Sequence, residues 1–138
     1  MKSRAGWDIP RVLLADDCPA VLHDVEKFLC TAFEIVGAAQ DGERALQLAT
    51  SLNPNIIVLD ISMPLLSGLD VASCIRKSPC RAKIIFLTVH ADGDYVDAAF
   101  SRGASAYVLK CRIGFDLIPA IEAALQGHTF TSPIHQNT

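Results

Sequence analysis

The chain has no cysteine pair spaced C-x-x-C, and no histidine stands at zinc-finger distance from a cysteine. Its five cysteines, Cys18, Cys30, Cys74, Cys80 and Cys111, are odd in number and scattered. That pattern argues against a structural metal module and against a disulfide framework, and the thiols read as small buried hydrophobes or surface groups. There is no apolar run of membrane-spanning length, and Met1-Lys-Ser-Arg-Ala-Gly-Trp-Asp8 lacks the apolar centre of a signal peptide. A cytoplasmic protein with no membrane partner is the expectation. Positive charge is not in excess. The formal net charge is -3 and the sequence pI about 5.7, a poor balance for gripping nucleic acid through its phosphates. Internal repeats, low-complexity tracts and a second domain are missing too. What remains is 138 residues, 51% of them hydrophobic, enough for one packed domain and too many for a disordered chain.

The apolar residues fall into short runs alternating with helical patterns. Residues Met1 to Pro10 read as a leader, residues 11–127 as the globular domain, and 128–138 as an unstructured tail or the start of a linker. Within the domain, Arg11 to Ala15, Glu34 to Ala39, Asn55 to Asp60, Lys83 to Thr88 and Ala106 to Lys110 read as strands. The second is the least apolar and suits a position near an edge. The third is continuous and rich in β-branched residues, as expected of a parallel strand buried on both faces. Between them lie helical spacings. Val21, Leu22, Val25, Phe28, Leu29 and Phe33 form the first, with Asp17 as a candidate cap and Pro19 in the first turn. Ala45 to Leu52 marks the second, closed by Asn53-Pro54. Leu69, Val71, Ala72 and Ile75 mark the third, ended by Pro79, and Asp92 to Gly103 a weaker fourth. Phe115 to Gln126 forms the fifth, with Pro119 expected near its first turn because an interior proline costs roughly 3 kcal/mol. Five strands alternating with five helices predict a parallel sheet covered on both faces and joined by right-handed crossovers.

Four of the five runs end on polar residues: Asp16 and Asp17, Asp60, Thr88, and Lys110. In a parallel sheet these ends share one edge, the edge at which open α/β sheets bind ligands. If the first and third strands are neighbours, three carboxylates converge there. Clustered like charges resist ionising together, and a hard divalent cation such as magnesium, which takes oxygen ligands and keeps several waters, resolves the conflict. Lys110 adds a fixed positive charge and Thr88 a hydroxyl donor. Together these groups can hold the oxygens of a phosphoryl group, with Asp60 placed as the nucleophile that receives it. Each residue alone has a plainer role, as a helix cap, a strand residue or a solvated end. The joint pattern carries the weight.

With Asp16-Asp17, Leu59-Asp60-Ile-Ser-Met-Pro64 followed by Gly68, Leu87-Thr88, and Gly103-Ala-Ser-Ala-Tyr-Val-Leu-Lys110 in place, the chain resembles the receiver domain of two-component response regulators. The match runs from Arg11 to about Gly127. The resemblance implies a flavodoxin-like three-layer fold with strand order 2-1-3-4-5. It implies Asp60 as phosphoacceptor, and magnesium held directly by Asp17, Asp60 and the backbone carbonyl of Ser62, with Asp16 assisting through water. It also implies Lys110 paired to the phosphoryl group, and Thr88 with Tyr107 as the switch pair. A sensor histidine kinase is the implied phosphodonor, and a homodimer is compatible with the family. Asp60-Ile-Ser-Met-Pro, Thr88-Val-His-Ala-Asp92 and Ala120-Ile-Glu-Ala-Ala-Leu-Gln-Gly127 look like receivers preceding LuxR-type helix-turn-helix domains. Contact with DNA would belong to such a domain, which these residues do not include, and the output so implied is transcription. Many receivers carry proline after the lysine. Here Cys111 stands there, and a trans peptide is expected. Three other readings compete. A haloacid-dehalogenase-like phosphatase needs a second acid two residues after the nucleophile, where this chain has Ser62. A flavin module would want a phosphate loop where Asp16-Asp17 would repel one. An unphosphorylated docking module would have no use for the acidic set.

Overall fold

A computed structural model describes residues 9–134; the expected leader, Trp7 included, lies outside them as far as Asp8. The elements are β1 (Arg11–Ala15), α1 (Pro19–Leu29), β2 (Glu34–Ala39), α2 (Gly42–Leu52), β3 (Ile56–Leu59), α3 (Gly68–Arg76), β4 (Lys83–Thr88), α4 (Gly93–Ser101), β5 (Ala106–Leu109), α5 (Ile118–Leu125) and β6 (Phe130–Thr131). All strand pairs are parallel, in the order β2-β1-β3-β4-β5-β6. The expected order of the first five holds, and β2 is the outer strand on its side. β1 and β3 are neighbours, with Ala15 opposite Leu59.

The continuous apolar strands have a simple cause. Successive side chains point to opposite faces, and here both faces are covered. Leu13, Ala15, Ile57, Leu59, Ile84 and Phe86 pack with α2, α3 and α4. Val12, Leu14, Ile56, Val58, Ile85 and Leu87 pack with α1 and α5. The helix ends follow local chemistry. Asp41 accepts a hydrogen bond from Arg44 N (2.7 Å) and caps α2, which Asn53 closes in the left-handed conformation (φ 48°). Ser67 and Asp92 cap α3 and α4 by accepting from the backbone of Asp70 and Asp94. At Gly103, φ is 97°, a conformation that favours glycine, and a Cβ would also have to push aside the Arg76 side chain.

Three expectations need correction. Asp17 does not cap α1. Cys18 occupies the cap position, and Asp16 is the residue that accepts from its backbone N–H, at 2.9 Å. The fifth helix begins earlier than expected, as a short 3-10 turn (Lys110–Arg112) and a wide π turn (Ile113–Leu117). These place Pro119 in the first turn of the regular α5, where its missing N–H is harmless. The tail is not unstructured as far as it is described. Phe130–Thr131 adds a sixth strand to β5, and Ser132 beyond it is buried. The Lys110–Cys111 peptide is trans, as are all others among the described residues.

Candidate functional site

The edge formed by the carboxyl ends of β1, β3, β4 and β5 collects the predicted residues. Asp60 follows β3 directly. Its backbone N–H donates to Ala15 O at 2.9 Å, so the end of β3 stays paired to β1 and the aspartate is held beside Asp16. Asp16 is tied down in turn by its own N–H to Ala39 O at 3.0 Å. Gly68 lets the start of α3 close against this corner: its N–H donates to Ile61 O at 2.7 Å, and a Cβ there would collide with the Asp60 carbonyl.

Asp16 and Asp60 are buried, with 3% and 5% of their surface exposed, while Asp17 is open to solvent. One oxygen from each of the three lies within 4.8 Å of the others. Lys110 reaches in from the end of β5 and bridges the two buried carboxylates, with Nζ 2.6 Å from Asp16 Oδ2 and 3.1 Å from Asp60 Oδ2. The remaining Asp60 oxygen, Oδ1, accepts from Ile61 N at 2.7 Å. Burial pushes the Asp60 carboxyl above its usual pKa. The charge and hydrogen bond of Lys110 pull against that rise, and the neighbouring Asp16 adds to it. Burial also works against the Lys110 ammonium, but the hydrogen bond to Asp16 and the two nearby negative charges outweigh it and leave its pKa above the ordinary lysine value. The corner thus carries three carboxylates against one ammonium, and a divalent cation would balance the excess.

Thr88, fully buried, ends β4, and its Oγ1 accepts from His90 N at 3.2 Å. Tyr107 in β5 is fully buried, and its hydroxyl donates to His90 O at 2.6 Å. Burial holds its phenol above the usual pKa. The ring therefore already lies inside the fold in this conformation. Ser62 lies in the loop after β3, exposed, with its hydroxyl 3.0 Å from His90 Nε2.

The profile of the Response regulator receiver domain matches residues 12–122. The chain belongs to the response regulator receiver family. It is 40% identical over 116 residues to the transcriptional regulatory protein PdtaR of Mycobacterium tuberculosis, an alignment covering 83% of this chain and 56% of PdtaR. Against the nitrate/nitrite response regulator protein NarL of Escherichia coli the identity is 34% over 123 residues, covering 88% of this chain and 57% of NarL. A two-component response regulator of the LuxR family from Aurantimonas superposes with a TM-score of 0.86 at 31% identity, covering 91% of each chain. The chain spans about half the length of the curated relatives it matches. It is a signalling domain of two-component systems with the flavodoxin-like fold, and among the described residues no helix is long and apolar enough to cross a membrane.

Side-chain contacts also bring together residues to which the sequence alone gives no role. His90 touches Thr88, Tyr107 and Ser62, and in the sequence it stands out only as part of Thr88-Val-His-Ala-Asp92. Arg112, Asp116 and Ser132 form a second network. Arg112 Nε and Ser132 Oγ donate to Asp116 Oδ2 at 2.6 and 2.7 Å, and Ser132 Oγ accepts from Leu109 N at 3.1 Å. The hydrogen bond from Arg112 holds the Asp116 carboxyl below its usual pKa. No spacing in the sequence links Asp116 to Ser132.

Proposed function

We propose that this receiver takes a phosphoryl group onto Asp60 from a phosphohistidine of a sensor kinase and so controls an output, with transcription the favoured one. The single observation behind this is the convergence of Asp16, Asp17 and Asp60 with Lys110 at one sheet edge. The donors on offer are all oxygens, and the carboxylate of Asp17 is on an exposed residue that leaves room for water, which suits magnesium. One oxygen of each acid lies within 4.8 Å of the others, close enough for all three to face one ion. Asp17 and Asp60 would hold the ion directly with the Ser62 carbonyl. Asp16, already committed to Lys110 and Cys18 N, would assist through water. Bound magnesium would neutralise the carboxylates and the incoming phosphoryl oxygens, which otherwise repel one another.

In the transfer the Asp60 carboxylate attacks phosphorus, the bond from phosphorus to the donor imidazole nitrogen breaks, and the imidazole takes up a proton as it leaves. The hydrogen bond from Ile61 N fixes the aspartate's orientation. Lys110, held above its ordinary pKa, stays charged and pairs with the transferred group. The Thr88 hydroxyl can donate to a phosphoryl oxygen while still accepting from His90 N. Since Tyr107 is already buried, the change that Thr88 sets off would act on the Tyr107–His90 hydrogen bond and on the surface of α4, β5 and α5. The chain's own chemistry would be limited to its phosphorylation and dephosphorylation, and a cytoplasmic location and a homodimeric active form go with this reading.

The test is intact mass after incubation with magnesium and a small phosphodonor. Wild type should gain one phosphoryl group and Asp60→Ala none. Undiminished labelling of Asp60→Ala would move the acceptor elsewhere. A docking module that is never phosphorylated would show no labelling in either protein.

A further inference from the structure

His90 is held on four sides by groups from four parts of the chain. Its N–H donates to Thr88 Oγ1 at the end of β4, and its carbonyl accepts from the Tyr107 hydroxyl on β5. Its Nε2 lies 3.0 Å from Ser62 Oγ, 28 residues away in the loop that follows Asp60. Its ring stacks on Tyr95 of α4, with centroids 4.2 Å apart and planes 14° from parallel. A loop histidine beside the sheet edge would ordinarily turn its ring to water. This one is only partly exposed, and its Nε2 and one face of its ring are engaged by other elements.

We propose that His90 is a positioning residue: its imidazole ties the first turn of α4 to the loop after Asp60, so that a change in that loop is passed to α4 through the ring. The inference rests on Asp60 being the phosphoacceptor. The imidazole is a rigid plane, and the stack constrains its tilt while the Ser62 hydroxyl constrains its rotation. Displacement of the Ser62 loop, or of Thr88 through the backbone bond, must then either carry Tyr95 along or break one of the two ring contacts. Thr88 and Tyr107 act on the backbone of this residue. The side chain adds a separate route, from Ser62 to α4, that neither of them supplies.

The experiment compares wild type, His90→Phe and His90→Gln in the full chain, each with and without magnesium and beryllofluoride. Phenylalanine keeps an aromatic face for Tyr95 but has no atom to bond Ser62. Glutamine offers an amide that can reach the hydroxyl. Amide NMR shifts of Tyr95 to Ser101 report α4, fluorine NMR reports bound beryllofluoride, and intact mass after treatment with a phosphodonor reports acceptance. Expected are full acceptance in all three proteins, a response of α4 at least two-fold smaller in His90→Phe than in wild type, and a partial recovery in His90→Gln. A residue serving only to pack the loop would lower stability equally in both variants and leave the response intact. A full α4 response in His90→Phe overturns the inference, as does an unmoved α4 in wild type with beryllofluoride bound. A glutamine variant no better than phenylalanine overturns the Ser62 contact as the tie. If wild type binds no beryllofluoride and takes no phosphate, the phosphoacceptor reading fails first, and this inference with it.

Discussion

Replacing Lys110 with methionine removes the ammonium that bridges Asp16 and Asp60, which it meets at 2.6 and 3.1 Å. Methionine keeps much of the stem's volume, so the change is mainly one of charge. Both carboxylates are nearly closed to solvent, with 5% and 6% side-chain exposure, while Lys110 retains 18%. Removing one partner of a buried ion pair costs about 3–5 kcal/mol. Because Lys110 keeps some contact with water and Asp60 can take up a proton, we expect the lower end, about 3 kcal/mol at pH 7 without magnesium. For a domain of this size that is a fall in Tm on the order of 10 °C. The pH dependence separates this cause from lost packing. Asp60 already has a raised pKa in the fold, so the folded state holds that proton more tightly than the unfolded chain. The resulting penalty is present at neutral pH and is relieved as pH falls through the folded pKa towards the unfolded value of about 3.9. Losing Lys110 raises that pKa further, so the gap between variant and wild type should narrow as pH falls from 7. The raised pKa of Lys110 has the opposite sense. Its stabilisation is complete below the unfolded lysine value and is lost only as pH rises through the folded one, so wild type retains it throughout this window. Urea unfolding followed by circular dichroism in EDTA measures the gap, and magnesium should narrow it. A variant within about 0.5 kcal/mol of wild type at pH 7, the usual scatter of a surface substitution, would refute the reasoning. So would a gap unchanged by acid.

Asp17→Ala should weaken magnesium binding more than Asp16→Ala, since Asp17 is exposed and Asp16 is engaged by Lys110 and Cys18 N; calorimetry showing wild-type affinity in Asp17→Ala would count against the site. Thr88→Ala should still accept phosphate at Asp60 but lose a hydrogen bond to a charged group of about 1.5–3 kcal/mol, enough to return most molecules to the resting conformer. NMR shifts around Tyr107 and α4 with beryllofluoride would show that loss, and a full response would leave the signal to the loops after Asp60 and Lys110. Ser132→Ala should destabilise the fold by about 1–3 kcal/mol by leaving Leu109 N and one acceptor site of buried Asp116 unpartnered, and a midpoint in urea equal to wild type would show that water replaces the hydroxyl at no cost.

Much of this molecule was legible because its strands are buried on both faces. Ile56 to Leu59 must be uninterruptedly apolar to face α3 on one side and α1 and α5 on the other, and Asp60 stands out where that run stops. The acidic corner could be inferred once β1 and β3 were taken as neighbours, a fact the resemblance supplied and periodicity could not. The tail was illegible for a physical reason. Two residues cannot show an alternation, and Phe130–Thr131 gains its strand conformation from β5 rather than from its own pattern. The choice between Asp16 and Asp17 at the start of α1 was hidden as well, because adjacent aspartates differ only in which way the turn points them. Tyr107 could be named as a switch residue by family resemblance, but its present burial, and the carbonyl that receives its hydroxyl, depend on the path of the loop through His90.

The short sixth strand has a consequence for how copies of this domain can meet. An exposed sheet margin offers unpaired N–H and C=O groups to any extended peptide, and runaway strand addition is the hazard. On the β5 side, Phe130 N and Ser132 N donate to Ser105 O and Tyr107 O, and Leu109 N finds the Ser132 hydroxyl. That margin is closed by the chain itself. On the other side the outer strand is β2, where pairing with β1 is irregular between Val12 and Leu13 and Gly37 breaks the run of side chains. A seventh strand would find only the two residues of β6 or the irregular β2 to pair with, so any self-association would be expected on helix surfaces, whose contacts can form and dissolve without unravelling a ladder.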